Sequence, residues 1–470
     1  MANESKMMRP AAAQEPVRRR PAASRRPAAN SEPEPASSII VTDKCFVCPL
    51  TKCHCTCSLA PVQSNDTITT ANVITSEEIE QVTVCSKRCS GRNCGARHRP
   101  NFFWTEGTKF NCLTFNQIKG QGVYFVTNTL GFSVKYLEFT YERFMRARTV
   151  PGQEAHVRRA VNMLNSEDGL KHHNKLRNHL KAALEGYALA RRQPDVVLQF
   201  DIDAPHTFFG TDRSNFLFPP TDKVSELCFD GHFGVHRALE PGVDAERTVR
   251  LKGRPCLKEK ERIAGCVHKD KAHVALPQQS AGWQFVLDPA GMKVLGGKEH
   301  LQNECIPDKL DIVMDVMSMD NVDVDVLVHD DSCTVEKHVK KSYDVDVVNA
   351  FKQVKYYIVD TFHQSNHKCA KRIWTPRENR RMRHVRTNMA EAFNSWIRRF
   401  NFFLNHLLPS AHRFWVWELI AWYNDNVATI NLEFTRPRTN AATRKRPSSA
   451  VKRPSASRRS APVKRRPAAA

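Results

Sequence analysis

Two apolar runs in this chain each close on an aspartate, a pattern that can set two carboxylates on rigid supports. Leu227-Cys-Phe229 closes on Asp230, with Gly231 next to it to allow close approach of backbone or ligand. Val324-Asp-Val-Leu-Val328 reads as a buried strand and closes on His329-Asp330-Asp331. A strand end is a rigid support for a carboxylate that must meet a metal ion. A third acid, Glu391, stands in the first turn of a predicted helix whose N-cap is Thr387 or Asn388. Phe393, Trp396, Ile397, Phe400, Phe403, Leu404 and Leu407 form the apolar stripe of that helix, and Glu391, Asn394, Ser395 and Arg398 lie opposite. Two readings of Glu391 stay open: a solvated glutamate favoured by the helix dipole, or one face of a metal and DNA site. Two strand-end aspartates and a helix glutamate suit a pair of Mg²⁺ or Mn²⁺ ions of the kind that drives phosphoryl transfer. Asp331 is an alternative second carboxylate, and Asp201 or Asp203 an alternative first.

The cysteines make a second pattern. Eight of the fifteen fall between residues 43 and 100, five of them within thirteen residues, which core packing does not explain. Cys85-X3-Cys89-X4-Cys94-X3-His98 is one four-ligand set for Zn²⁺, and Cys45-X2-Cys48 with Cys53-X-Cys55-X-Cys57 offers another. The pairing of thiols is open at this level. The flanking Arg88, Arg92 and Arg97 point to nucleic acid, as do Arg398 and Arg399 further on. Downstream of the second aspartate, Cys333, His363, His367 and Cys369 supply a Cys₂His₂ set for a second zinc. Cys112, Cys228, Cys256, Cys266 and Cys305 receive no role from spacing.

Charge and composition frame these sites. The formal net charge is +22, and the stretch from Arg436 onward holds twelve Lys/Arg and no Asp/Glu. Arg-Arg-Pro-Ala-Ala recurs at Arg19, Arg25 and Arg465. Such segments bury too little surface to fold and read as nuclear localisation signals or phosphate binders, so residues 1–42 and 431–470 are expected to be disordered basic tails. No apolar run approaches a membrane span, so an intracellular, nuclear protein without membrane contact is expected. Between the tails the sequence predicts a cysteine-rich zinc module over 43–100, a mixed, mainly helical region over 101–195, and a catalytic domain over 196–430 with an insertion near 245–300. Strand signals at Val196–Phe200, Glu226–Phe229, Ala281–Val286, Val322–Val328 and Tyr356–Val359 precede a helical C-terminal part. The fold class is therefore α+β, a mixed sheet covered by helices.

Taken in order, these motifs resemble the Kyakuja–Dileera–Zisupton transposases, particularly members with a CxC-like cysteine cluster. The resemblance covers roughly residues 45–426. It is carried by Cys53-X-Cys55-X-Cys57, the Cys85–His98 cluster, Gly122-Val-Tyr-Phe-Val-Thr-Asn, Phe229-Asp230-Gly231, Asp330-X2-Cys333, Asp360-X2-His363-X3-His367-X-Cys369 and Met389-Ala-Glu391-Ala-Phe-Asn394-Ser395. It implies a ribonuclease-H-like core with an Asp230, Asp330, Glu391 triad, zinc support from Cys333, His363, His367 and Cys369, and Mg²⁺-dependent nicking and strand transfer. Double-stranded DNA is the implied partner, with a homo-oligomer as the working form. A domesticated copy that binds DNA or chromatin without catalysis is the alternative.

Overall fold

The computed structural model describes residues 39–59, 68–147, 169–208, 216–240, 279–301, 306–342, 344–361, 363–364, 367 and 382–435. The tails before residue 39 and after 435 lie outside these, as do 241–278 and Cys369. Three sheets are present among the described residues.

The first sheet combines β1 (Ile39–Val47), β2 (Ile68–Ile74) and β3 (Ile79–Cys85) with β8 (Val123–Phe125) and β9 (Leu130–Ser133), in the order β1-β3-β2-β9-β8. A small antiparallel sheet, β4 (Lys87–Arg88), β5 (Arg97–His98), β6 (Phe102–Thr105) and β7 (Thr108–Asn111), grows out of β3. The cysteine-rich stretch is therefore not a separate module. Val73, Val82 and Val84 share one core with Phe125, Phe144 and the C-terminal Trp415.

Helices α1 (Val134–Ala147) and α2 (Gly169–Arg191) follow, the second spanning the leucine-spaced basic segment expected there. Phe144 of α1 packs edge-on against Phe403 and Trp415 at ring separations of 4.9 and 5.2 Å. Just past α2, Arg192 makes a two-pronged ion pair with the buried Glu418 (2.8 and 3.0 Å), and the Tyr141 hydroxyl donates to the same carboxylate. This buried, fully bonded acid ties the helical region to the last helix of the fold.

The third sheet again has five strands. Its strands are β10 (Val224–His232), β11 (Gly282–Asp288), β12 (Lys293–His300), β13 (Val322–His329) and β14 (Tyr356–Val359), ordered β12-β11-β10-β13-β14. β11 is antiparallel to β10 and β12, whereas β13 and β14 run parallel to β10. Parallel neighbours need crossovers, and helices supply them: α3 (Ile306–Met317) before β13 and α4 (Ser332–Lys341) before β14. Alternating side chains divide the sheet between two cores. Leu227, Phe229, Leu327 and Tyr357 pack with Val313 and Val316 of α3. Cys228, Val326, Val328 and Ile358 pack with Phe393 and Trp396 of α5 (Met389–Ile397) and Ile420 of α6 (Pro409–Thr435). Both faces are covered, which is why these strands read as almost unbroken apolar runs.

Several expectations change. Residues 282–300 lie inside the central sheet as β11 and β12, so the insertion expected near 245–300 does not extend over them. Val196–Phe200 is no strand: Asn111 donates to the Leu198 and Phe200 carbonyls, while Val196 and Val197 stay exposed. β-Branched residues favour a pleated, half-buried surface, and none is offered there. The strand at Ile39 and the helix ending at Thr435 trim the tails expected at both ends.

Gly282 fixes how β11 begins. Its φ is +117°, and a Cβ there would sit 2.4 Å from the His232 carbonyl oxygen and 2.8 Å from Phe233 Cα. Gly282→Ala is expected to cost about 2 kcal/mol or more. A clear fall in the thermal midpoint would bear this out, and an unchanged midpoint would show that the backbone yields.

Candidate active site and metal centres

The register of the central sheet places three acids in one row. Cys228 pairs with Val328, and Val328 with Ile358. Two residues further along each of these parallel strands come Asp230, Asp330 and Asp360. A step of two keeps a side chain on the same face, here the face on which Cys228, Val328 and Ile358 meet α5. All three acids thus emerge at the same sheet end, beneath the helix that carries Glu391.

Asp230 and Asp330 meet. Their carboxylate oxygens and a ring nitrogen of His329 all lie within 4.8 Å of one another. Asn394 Nδ2 donates to Asp230 Oδ2 at 3.0 Å, so the Asn394 side of α5 faces the aspartates, while Ser395 and Arg398 stay exposed. Glu391 stands one helical turn before Asn394 on that face. Its carboxylate is outside the 4.8 Å group, but with Asp230 and Asp360 it contributes to raising the buried thiol of Cys228, an effect due chiefly to burial. The Cys228 thiol also donates to the Thr387 carbonyl (3.8 Å), docking the chain just before α5.

Asp330 is unusual in its surroundings. Burial alone would raise it, yet His329, Lys309 and His363 outweigh burial and hold the carboxylate well below its ordinary range. His329 Nδ1 lies 2.8 Å from Asp330 Oδ1, and Lys309 Nζ lies 3.2 Å from His329 Nε2. The Asp331 backbone N–H donates to His329 Nδ1 at 2.9 Å, so that nitrogen is already engaged as an acceptor. The approach of Nδ1 to Asp330 lacks hydrogen-bond alignment, and Asp330 Oδ1 is shut from water without a hydrogen bond. A buried carboxylate oxygen left so is costly, and a hard cation shared with Asp230 is a partner that fits it.

The doubled aspartate is divided between two places. Asp331 turns away from Asp330: its Oδ1 accepts from Thr334 (2.6 Å) and faces Cys333 Sγ at 3.5 Å. Asp331, Cys333 and His367 form a second group that could hold a metal ion, with Cys333 Sγ 3.5 Å from His367 Nδ1. His363, expected beside them, is bound elsewhere, its Nδ1 lying 2.6 Å from Asp360 Oδ2. Cys369 is outside the described residues. Of the alternative first acids, Asp203 is taken up by Lys109 at 2.6 Å, and Asp201 receives the Asp203 backbone N–H.

Cysteines from the two sequence clusters interleave. Cys53 and Cys55 join Cys89 and Cys94 in one group, with Cys55 Sγ 3.3 Å from Cys89 Sγ and Cys53 Sγ 3.6 Å from Cys94 Sγ. Cys57 borders it: a Cβ on Gly91 would lie 2.9 Å from Cys57 Sγ and 3.4 Å from Cys89 Sγ. Cys48 and His98 join Cys112 in a buried group. Cys45 and Cys85 face each other at 3.3 Å across β1 and β3, apart from both groups. The two local sets expected from spacing are therefore replaced by sets that each draw on both clusters. These cysteines and histidines could bind zinc. Arg88 and Arg97 are paired across β4 and β5 and exposed beside the thiols, with Arg92 exposed nearby; Arg398 and Arg399 are exposed at the end of α5.

Asp360, His329, Lys309 and Cys112 were not among the expected site residues. Asp360 had a legible signal, since it closes the apolar run Tyr356–Val359 as Asp330 closes its own. Cys112 had none, because its partners are distant in sequence. The chain matches no protein-family model, no curated protein and no solved structure.

The Asp360–His363 pair predicts a pH effect. The hydrogen bond that His363 donates to Asp360 is the largest cause, opposed by burial and helped by the charges of Asp360, Asp330 and Asp230, and it raises His363 to about 9. A histidine raised on folding contributes stability that is fully present below its unfolded value, about 6.5, and lost as the pH rises through about 9. His363→Gln should therefore abolish a loss on the order of 2 kcal/mol between pH 6.5 and 9. Denaturation midpoints measured across that window check it; parallel curves for the two proteins would exclude a charged His363.

Proposed function

We propose that this chain is a DNA transposase that nicks and joins DNA at an Asp230, Asp330, Glu391 centre. One observation carries the reading: Asp230 and Asp330, a hundred residues apart in sequence, bring oxygens within 4.8 Å while Asp330 Oδ1 stays buried and unbonded. The strand order supports a ribonuclease-H-like core. Three antiparallel strands β12-β11-β10 are continued by parallel β13 and β14, with Asp230 near the end of β10, Asp330 just past β13 and a glutamate on the helix packed over the sheet after β14.

Asp230 and Asp330, with Glu391 above them, would hold Mg²⁺ or Mn²⁺. Bound there, the ions supply activation of the attacking oxygen and charge stabilisation on the leaving oxygen. The residues around them set position. Asn394 orients Asp230 by donating to Oδ2. Lys309 and the Asp331 backbone N–H hold the His329 ring beside Asp330. Protonated His363, held by Asp360, offsets carboxylate charge at neutral pH. Arg398 and Arg399, exposed at the end of α5, are suited to backbone phosphates. The +22 charge favours a nuclear, DNA-bound protein whose affinity falls steeply with salt.

The direct test is cleavage of plasmid or end-containing DNA with Mg²⁺ or Mn²⁺. Asp230→Asn, Asp330→Asn and Glu391→Gln should each lower the rate by about a hundredfold or more while leaving DNA affinity largely intact. Variants that cut like the parent would overturn the triad. A parent that binds DNA but never cuts it would favour the domesticated reading.

A further inference from the structure

We propose that the cysteine-rich region holds two zinc ions, not one. The outer ion is bound by Cys53, Cys55, Cys89 and Cys94; the inner ion is bound by Cys48, His98 and Cys112 and latches the cysteine loops to the body of the fold. This does not depend on the nuclease reading.

The inner group is the less expected of the two. Its ligand atoms lie within 4.8 Å of one another, and all three residues are buried, Cys48 and His98 with no exposed surface. They come from three places: just after β1, from β5, and just after β7. Cys48 Sγ is 4.0 Å from His98 Nδ1. Ligands about 2.0–2.3 Å from a tetrahedral zinc stand about 3.3–3.8 Å from one another, so a small inward shift brings the pair onto the ion. Two thiols and an imidazole sealed among Phe102, Phe103 and Leu113 have no water to solvate them, and a soft S/N set of this kind suits zinc. Three protein ligands reach this centre among the described residues.

His98 also connects the two centres. While Nδ1 faces Cys48, Nε2 faces Cys53 Sγ at 3.2 Å, and Cys53 belongs to the outer group. With Nδ1 on the inner ion, Nε2–H is left to donate to a thiolate of the outer ion, fixing the ring as outer partners of metal-bound histidines do. The outer group is half-exposed and carries four thiols beside exposed Arg88, Arg92 and Arg97. The inner group reaches Cys112, whose backbone N–H is bonded to Asn101 and whose neighbour Leu113 is fully buried. Metal at the inner centre would therefore hold the arginine-bearing loops against β7.

Zinc per chain, measured on the full-length protein by elemental analysis, tests this. In a Cys333→Ser background, which removes the separate Asp331–Cys333–His367 group, two zinc ions are expected. Cys112→Ser should lose one, Cys94→Ser the other, and the double variant both. One ion in that background, or an unchanged content in Cys112→Ser, overturns the proposal. So does a Cys48–Cys112 disulfide, seen as two thiols lost to alkylation without reductant. Should Cys112→Ser not fold, Cys112→His keeps a ligand and should retain the metal. After Co²⁺ replacement its thiolate-to-metal absorption should weaken and its visible bands should shift. A Co²⁺ spectrum identical to the parent's would remove Cys112 from the coordination sphere.

Discussion

Parallel pairing of β10, β13 and β14 is the constraint on which the candidate site rests. Because Cys228, Val328 and Ile358 stand in register, the residues two steps beyond them are brought to one end of one face. A slip of one residue would turn the acids toward the opposite core, among Phe229, Leu327 and Tyr357, and break up the row. Apolar packing on both faces thus holds the register that the carboxylates need. The energy that orders the site comes from the valines, leucines and aromatics around it, not from the acids.

The helix above the sheet is held in the same way. Phe393 lies edge-on to Phe285 and to Tyr423, each at 4.8 Å, and Trp396 stacks on Trp422 at 6.1 Å. These contacts fix the rotation of α5, and that rotation decides that Asn394 meets Asp230. Near the acids, charge is balanced locally. Lys309, His329 and His363 surround Asp330 and Asp360, so a cluster of carboxylates can exist before any cation binds. Removing one of these bases would leave that carboxylate charge uncompensated.

The cysteine groups follow another logic. Thiols that are distant in sequence meet because β3 leads directly into the small sheet β4–β7, which folds back over the loop between Cys48 and Cys57. A metal at such a place closes long loops and joins elements that have little core of their own. Cys333 and His367 could do the same between α4 and the segment after β14, next to the aspartate row and with Asp331 beside them.

Much was legible in the residues alone. The apolar runs that lead to Asp230 and Asp330, the strand at Tyr356–Val359, the long basic helix and the Phe393/Trp396 side of α5 all follow from local periodicity, because alternation and helical repeat are properties of neighbouring residues; the strand running on past Asp230 to His232 and the helix stopping at Ile397 did not. Metal-binding chemistry in the cysteine stretch was readable from composition for the same reason. Tertiary structure alone decided which atoms meet. It set Asp330 toward Asp230 and Asp331 toward Cys333, paired His363 with Asp360, interleaved the two cysteine clusters and brought in Cys112. Those choices depend on sheet register and on the paths of distant loops, and spacing along the chain carries no record of either.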